Sequence, residues 1–224
     1  MIMRKKYYFE DSKFKYKVGN FLTSSDIELK DISKAWFAIS LAFGIVLGGF
    51  SVKFFPAFII SAVAVGLGFL LHELSHKYFA QKYGYKAEFR SFDEMLFLAI
   101  IMSFFGFVIA APGAVVIFSR VLDIKKNGII SVAGPIMNIF IALAFLLLGF
   151  IITGNLELFS LPIPEVLELN LGLAIIAIGF LVNSWLALFN MIPLWLFDGA
   201  KVFRWNKIIW FLVVFIAAFL VFGI

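Results

Sequence analysis

The chain has 224 residues, of which 63% are hydrophobic and only 15% are charged. This composition lies far outside the range of soluble globular domains and predicts a polytopic integral membrane protein. The formal net charge of +5 comes from lysines and arginines spread over several loops, which is typical of a membrane surface rather than of nucleic-acid binding, and the lack of cysteine excludes disulfides and thiolate metal sites.

The first 34 residues form a polar, basic segment that we expect at the cytoplasmic membrane surface. Lys13 to Val18 alternates polar and apolar residues, which is typical of a strand, and Tyr7 to Phe9 is a candidate second arm of a hairpin. A flexible basic tail at the lipid headgroups is the alternative. Ser25 followed three residues later by Glu28 is a capping box, which predicts that a helix begins there and runs into the first span.

Residues 35–224 carry the apolar stretches of an all-α membrane domain, whose core we place at about 57–203. Helical spans are predicted at about 35–52, 57–80, 129–153, 169–190 and 208–224. A further apolar stretch, 95–118, is interrupted by Pro112 and Gly113 and continues in mostly β-branched residues, which favours a strand there over a continuous helix.

The distribution of lysine and arginine decides between two threadings of 95–118. If this stretch crosses the membrane, the later basic loops fall on the side opposite the basic N-terminus. If it dips in and returns, every loop rich in lysine or arginine lies on one side, and the opposite side keeps only Lys53. The positive-inside rule therefore favours about five spans plus one re-entrant, strand-like element, with six full spans as the alternative, and it places the N-terminus in the cytoplasm. Non-helical backbone at membrane depth must pack against protein or a wet cavity, so this element is expected to line an interior site.

The second span ends in the pattern H-E-x-x-H, formed by His72, Glu73 and His76, and the chain has no other histidine. On a helix, residues four apart lie one above the other on a single face, so both imidazoles can bind the same metal ion. Glu73 is then placed to act as a base toward water at the metal. Ionisable groups in a segment of this hydrophobicity are costly and indicate function, whereas a chance polar contact between helices is the alternative.

A catalytic zinc ion takes three protein ligands and a water molecule, so a third ligand is expected. Both histidines lie in the cytoplasmic half of their span, and of the acidic residues on that side Asp93, Glu94 and Asp123 are possible. Asp198 is best placed, because it follows a span that ends on the cytoplasmic side and stands in an apolar run that Pro193 opens by removing a backbone donor. An Asp-Gly turn at the membrane interface is the alternative interpretation of Asp198.

Three motifs in this order resemble the site-2 protease family of intramembrane zinc metallopeptidases, in its short archaeal or bacterial form without a PDZ domain. The H-E-x-x-H pattern is followed by Ala133-Gly134-Pro135-Ile136-Met137-Asn138, which is similar to the family's A-G-P-x-x-N segment. The pattern N-x-x-P-x-x-x-x-D-G then runs from Asn190 to Gly199, so that the resemblance covers about residues 71–203.

The resemblance implies one zinc ion per chain, held by His72, His76 and Asp198, with Glu73 activating water. It also implies strand-forming segments beside the site that pair with an extended substrate. The residues expected to form this clamp are Pro112, Gly113, Ala114, Val115 and Val116.

The predicted function is zinc-dependent endoproteolysis of transmembrane segments of other proteins, in a multi-pass protein of the cell membrane whose active-site mouth faces the cytoplasm. Asn138 and Asn190 are candidate hydrogen-bond donors to an oxyanion or to the substrate backbone, with interhelical hydrogen bonds as the alternative. The expected partners are a transmembrane protein substrate and the lipid bilayer, without nucleic acid, and the sequence leaves the oligomeric state open. Two other functions compete: a membrane-anchored zinc peptidase acting on soluble or loop substrates, and a non-enzymatic, transporter-like membrane protein.

Overall fold

The computed structural model describes residues 16–18, 22–108, 112–119, 122–194 and 197–224. These residues form ten helices: α1 (Asp26–Gly48), α2 (Phe54–Ser61), α3 (Leu67–Lys82), α4 (Asp93–Ser103), α5 (Ile124–Thr153), α6 (Glu157–Ser160), α7 (Ile163–Val166), α8 (Leu171–Asn190), α9 (Asp198–Trp205) and α10 (Lys207–Phe222). They also form four strands: β1 (Tyr16–Val18), β2 (Leu22–Ser24), β3 (Lys86–Ser91) and β4 (Gly113–Phe118). A π-helical turn, Ala62–Gly66, joins α2 and α3 into one helical segment.

Four helical segments among the described residues are long and apolar enough to cross a membrane: Asp26–Gly48, Phe54–Lys82, Ile124–Thr153 and Leu171–Asn190. The apolar helix α10 is shorter, with 16 residues. Large apolar side chains stay exposed on the outer faces of these helices, as expected where lipid rather than water surrounds them. The chain is thus a multi-pass, mainly helical membrane protein, which confirms the expected fold class, whereas the expected five or six spans stay a prediction.

The N-terminal strands form a short antiparallel hairpin in which Tyr16 lies opposite Ser24. The arm expected at Tyr7 to Phe9 lies outside the described residues. Strand β1 pairs with the strand that follows it. As expected, Ser25 caps α1, because its side chain accepts a hydrogen bond from the Glu28 amide at 3.2 Å.

The carboxylate of Glu28 serves the tertiary structure as well as the helix start. It accepts a hydrogen bond from Lys77 Nζ at 2.6 Å and another from the Phe89 amide at 2.9 Å. Glu28 and Lys77 are fully buried, which is tolerable because each charge has an opposite charge and further hydrogen bonds beside it. One turn later on α3, the Gln81 amide bonds the backbone of Thr23 in β2 and the carbonyl of Ala87 in β3. The end of α3 is therefore bonded to α1 and to both hairpins.

The segment between α3 and α5 begins and ends with two strands that lie side by side. Strands β3 and β4 pair antiparallel, with Lys86 opposite Phe118 and Ser91 opposite Gly113. The intervening helix α4 has 11 residues, about 16 Å of helix and roughly half the thickness of a hydrocarbon core. The strand expected after Pro112 is present, and the membrane-dipping course of 95–118 stays a prediction.

Helix α5 lies at the centre of the membrane domain, where it packs against α3, α8 and α9. Its buried face contributes Val132, Ile139 and Ala142 to an apolar cluster shared with α8, α9 and α10. Pro135 sits inside this helix without ending it. Because proline has no N–H, the carbonyl of Ser131, four residues earlier, loses its usual donor within the helix.

Candidate metal centre

The two histidines lie on one face of α3, as their spacing predicts, and are buried, with 5% exposure for His72 and 8% for His76. Their Nε2 atoms are 3.0 Å apart. Asp198, the first residue of α9, completes the cluster: its Oδ2 lies 3.0 Å from His76 Nε2 and 3.4 Å from His72 Nε2. Residues more than 120 positions apart in the chain are thus brought together at one point.

A close backbone contact explains how Asp198 reaches the histidines. A Cβ on the next residue, Gly199, would lie 2.2 Å from the Met191 carbonyl oxygen, so only glycine lets the start of α9 fold against the end of α8. Met191 itself is fully buried. The Asp-Gly pair therefore brings a carboxylate back to the histidine-bearing face of α3, and its glycine is required by packing.

The three atoms fit a zinc ion. Ligands at 2.0–2.1 Å from a tetrahedral zinc lie about 3.3 Å from one another, close to the observed separations. On the far side of each ring, His72 Nδ1 is 2.5 Å from Asn138 Oδ1, and His76 Nδ1 is 2.7 Å from the Ile130 carbonyl oxygen. Both Nδ1 atoms face acceptors and so carry the hydrogen, which leaves the Nε2 lone pairs directed at each other and at the carboxylate. Three acceptors this close together fit a shared cation, either a metal ion or a proton.

The other oxygen of Asp198 is held outside the cluster by a lysine. Lys201 Nζ donates a hydrogen bond to Asp198 Oδ1 at 2.9 Å, one helical turn along α9. Burial by itself raises the pKa of the Asp198 carboxyl. When His76 carries a proton in place of a metal ion, its positive charge, the hydrogen bonds from His72 and His76 and the Lys201 ammonium outweigh burial and hold this pKa well below its ordinary value. Asp198 is therefore ionised, the form in which a carboxylate binds metal.

The backbone of α5 lies directly against the candidate ligand nitrogens at Gly134. A Cβ at this position would lie 2.6 Å from both His72 Nε2 and His76 Nε2, closer than side chains pack. The glycine of the Ala133-Gly134-Pro135 run therefore leaves the space that the imidazoles occupy. One turn earlier on the same helix, the Ile130 carbonyl accepts the His76 hydrogen bond.

Glu73 lies beside the cluster and faces strand β4. Its Oε2 accepts a hydrogen bond from the Val115 amide at 3.2 Å. Of the expected clamp residues, Gly113, Ala114, Val115 and Val116 lie in β4, and Pro112 directly precedes it, with its carbonyl oxygen accepting a hydrogen bond from the Phe92 amide. The structure thus places the expected strand next to the expected base.

The two asparagines have different surroundings. Asn138 is fully buried and donates both amide hydrogens within the protein, to the Gly68 carbonyl at 3.2 Å and to Asn183 Oδ1 at 2.9 Å. In this geometry both N–H groups bond neighbouring helices, which favours the interhelical alternative, and the expected donor role toward an oxyanion stays a prediction. Asn190 donates to the Leu186 carbonyl one turn back on α8, and the described contacts do not join it to the metal-binding atoms.

Sequence reasoning missed three contributors to this site: Gly134 as a direct contact, Lys201 as the partner of Asp198, and Asn183 behind Asn138. Gly134 stands within a motif already singled out. Lys201 lies two residues after the Asp198-Gly199 pair, and a lysine three residues after the aspartate is a usable helical signal. Asn183 is a lone amide in an apolar span, which is a general indication of function or of helix contact.

A membrane-spanning helix that carries H-E-x-x-H, with an aspartate completing a zinc-type ligand triangle, defines a membrane metalloprotease. The model of peptidase family M50 matches residues 60–209. The chain belongs to peptidase family M50, the site-2 protease family. The resemblance found in the sequence is confirmed, and zinc is the cofactor.

A relative from Methanocaldococcus jannaschii, named "Putative zinc metalloprotease MJ0611", is 38% identical over 190 residues, which covers 84% of this chain and 90% of the relative. No solved structure matched the chain. Membership in a metalloprotease family sets aside the transporter-like interpretation.

Proposed function

We propose that the protein is an intramembrane endopeptidase that cleaves membrane-embedded segments of other proteins. The observation that carries this proposal is the convergence of His72, His76 and Asp198 beside Glu73 on a helix long enough to span a membrane. These three residues are proposed as the zinc ligands. Zinc bound there supplies Lewis acidity, which lowers the pKa of a water molecule and polarises the scissile carbonyl.

Glu73 is the proposed general base. It is partly buried, and the hydrogen bond from the Val115 amide fixes one carboxylate oxygen. A fixed carboxylate beside the metal-binding face is positioned to take a proton from the attacking water and to deliver it to the leaving amine nitrogen. Both transfers use one group, since the base of the first step is the acid of the second.

The outer edge of β4 is the proposed substrate-binding element. Phe89 in β3 and Val115 in β4 lie opposite each other. Their N–H groups donate to Glu28 and to Glu73, so each N–H points away from the partner strand. In the antiparallel pattern the backbone groups of Gly113 and Ile117 share the outward side with Val115. A substrate segment that leaves its helical form can add to this edge as a third strand, which exposes its peptide bonds beside Glu73.

We place the opening of the active site on the cytoplasmic side. The histidines lie near the end of α3 that carries Lys77 and Lys82, and Lys201 and Arg204 follow Asp198 on α9. Under the positive-inside rule these basic residues mark the cytoplasmic face. Water then reaches the metal from the cytoplasm through the region of Lys201, whose side chain is 41% exposed.

The test compares wild type with Glu73→Gln, purified in detergent and reconstituted with a tagged single-span reporter. Glu165→Gln, an exposed glutamate in the α7 turn, is the matched control. We expect equal zinc content in all three proteins and a fall in cleavage rate of at least about 100-fold in Glu73→Gln alone. Mass spectrometry of the fragments locates the cleaved bond, which is expected inside the apolar segment of the reporter.

Wild-type turnover in Glu73→Gln would reject the assignment of the base. Cleavage restricted to loops of the reporter, or equal cleavage of an unfolded soluble protein, would favour the membrane-anchored peptidase of loop substrates over the intramembrane enzyme.

A further inference from the structure

Two asparagine side chains connect helix α8 to the metal centre. Asn138 on α5 and Asn183 on α8 are both fully buried. Asn183 Oδ1 lies 2.9 Å from Asn138 Nδ2, and Asn138 Oδ1 lies 2.5 Å from His72 Nδ1. A continuous line of hydrogen bonds therefore runs from α8 through α5 to a histidine of α3.

The direction of each bond in this line is determined. Asn183 Nδ2 donates to the carbonyl oxygens of Ala64 at 3.2 Å and Gly179 at 2.8 Å, so its Oδ1 is the group that meets Asn138. The Asn138 amide hydrogens are then used on Asn183 and on the Gly68 carbonyl, so that its oxygen faces His72. An amide oxygen only accepts, and His72 must carry its hydrogen on Nδ1.

The backbone of the metal-binding helix is adapted to receive this line. Ala64 lies in the π-helical turn Ala62–Gly66, where the wider hydrogen-bond pattern lets carbonyl groups take side-chain donors. In the same turn the Ala62 carbonyl accepts the Trp36 indole N–H at 3.0 Å. One turn later, a Cβ on Gly68 would lie 2.4 Å from Asn183 Oδ1, so glycine is what allows the amide to approach α3.

We propose that Asn183 and Asn138 form a positioning relay that holds the His72 ring in the tautomer and orientation needed for metal binding. Helix α8 supplies none of the proposed ligands, yet it controls the metal affinity of the site through this relay. The inference rests on the ligand set of the proposed function. Without the relay, the buried Nδ1–H of His72 lacks its acceptor, and the ring can turn or adopt the other tautomer, which removes the Nε2 lone pair from the metal.

The first experiment measures zinc affinity by competition with a chelator, together with the absorption spectrum of the cobalt-substituted protein. Asn183→Leu removes the outer member of the relay and Asn138→Leu the inner one. Ser184→Ala is the control, because this neighbouring buried hydroxyl bonds, among the described residues, only the Phe180 carbonyl within its own helix. We expect affinity to fall by about tenfold in Asn183→Leu and by about 10–100-fold in Asn138→Leu, with altered cobalt spectra in both and neither effect in Ser184→Ala.

The double variant separates a relay from two independent packing effects. If Asn183 acts through Asn138, the double variant binds zinc as weakly as Asn138→Leu alone. Losses of zinc affinity that add up in the double variant would overturn the proposal. So would an Asn183→Leu protein with the zinc affinity and cobalt spectrum of wild type, whatever its thermal stability.

A measurement on the wild-type protein covers the case in which a variant does not fold. The chain has two histidines, so the nitrogen NMR signals of ¹⁵N-histidine-labelled zinc protein are few enough to assign. We expect an exchange-protected proton on His72 Nδ1, and its absence overturns the relay. These readouts do not depend on proteolysis: a wild-type protein that binds no zinc refutes the proposed function itself, whereas zinc-loaded protein without the Nδ1 proton refutes the relay alone.

Discussion

Replacing Gly134 with alanine tests whether α5 must touch the metal-binding atoms. A Cβ at this position would lie 2.6 Å from the Nε2 atoms of both His72 and His76. Ordinary contacts of such atoms are near 3.5 Å, so either the rings or α5 must shift by about 0.9 Å. Alanine is otherwise the better helix former by about 1 kcal/mol, and reasoning from propensity alone predicts a more stable protein.

The expected loss follows from the tolerance of metal sites. Ligand distances vary by only about 0.2 Å in working sites, well below the required shift. We therefore expect zinc affinity to fall by at least about 100-fold in Gly134→Ala, or about 2.8 kcal/mol of binding free energy. Because helix propensity improves, the metal-free protein is expected to remain folded.

The assay is chelator competition for zinc on detergent-purified protein, with thermal unfolding of the metal-free form followed by circular dichroism. Gly172→Ala is the matched control, since a Cβ at this helical glycine of α8 meets Asn170 Oδ1 at an ordinary 3.4 Å. We expect it to bind zinc as wild type does. A Gly134→Ala protein whose zinc affinity stays within about threefold of wild type would refute the reasoning.

Two further substitutions test the supports of the site. Lys77→Met leaves the buried Glu28 carboxylate without its cation, so the free energy of unfolding is expected to fall by about 3–5 kcal/mol. The measurement is denaturation in detergent. A Lys77→Met/Glu28→Gln protein that regains none of this stability would argue against an ion-pair effect. Val115→Pro removes the N–H that donates a hydrogen bond to Glu73. The hydrogen bonds between β4 and β3 are expected to remain, because this N–H points away from β3. We expect zinc content to stay the same while reporter cleavage slows by about tenfold or more, and an unchanged rate would mean that this hydrogen bond does not hold the base.

Buried polar contacts from three neighbouring helices hold the helical segment Phe54–Lys82, which ends in α3. Trp36, Asn183 and Asn138 bond the carbonyl oxygens of Ala62, Ala64 and Gly68, each from a different neighbouring helix. Such bonds are directional, whereas apolar packing between membrane helices is not, so they set the rotation of α3 about its axis. That rotation decides where His72, Glu73 and His76 point.

The sequence by itself determined the features that depend on local geometry and composition. Apolar stretches of sufficient length indicate membrane helices in any context, because the backbone must satisfy its own hydrogen bonds in lipid. The spacing of His72 and His76 places them on one face because helical rotation per residue is a local property. Asp198 was within reach of the same reasoning, since the chain offers few carboxylates on that side and no thiolates.

Only the tertiary structure decided which atoms meet across helices. Nothing in the periodicity of α5 shows that Gly134 touches both imidazoles, or that Asn138 turns its oxygen to His72 and its amide hydrogens to Gly68 and Asn183. The pairing of Glu73 with Val115 likewise depends on the register of β3 and β4. Such contacts are set by how closely whole helix faces approach, which is a property of the complete packed interface and not of any one segment.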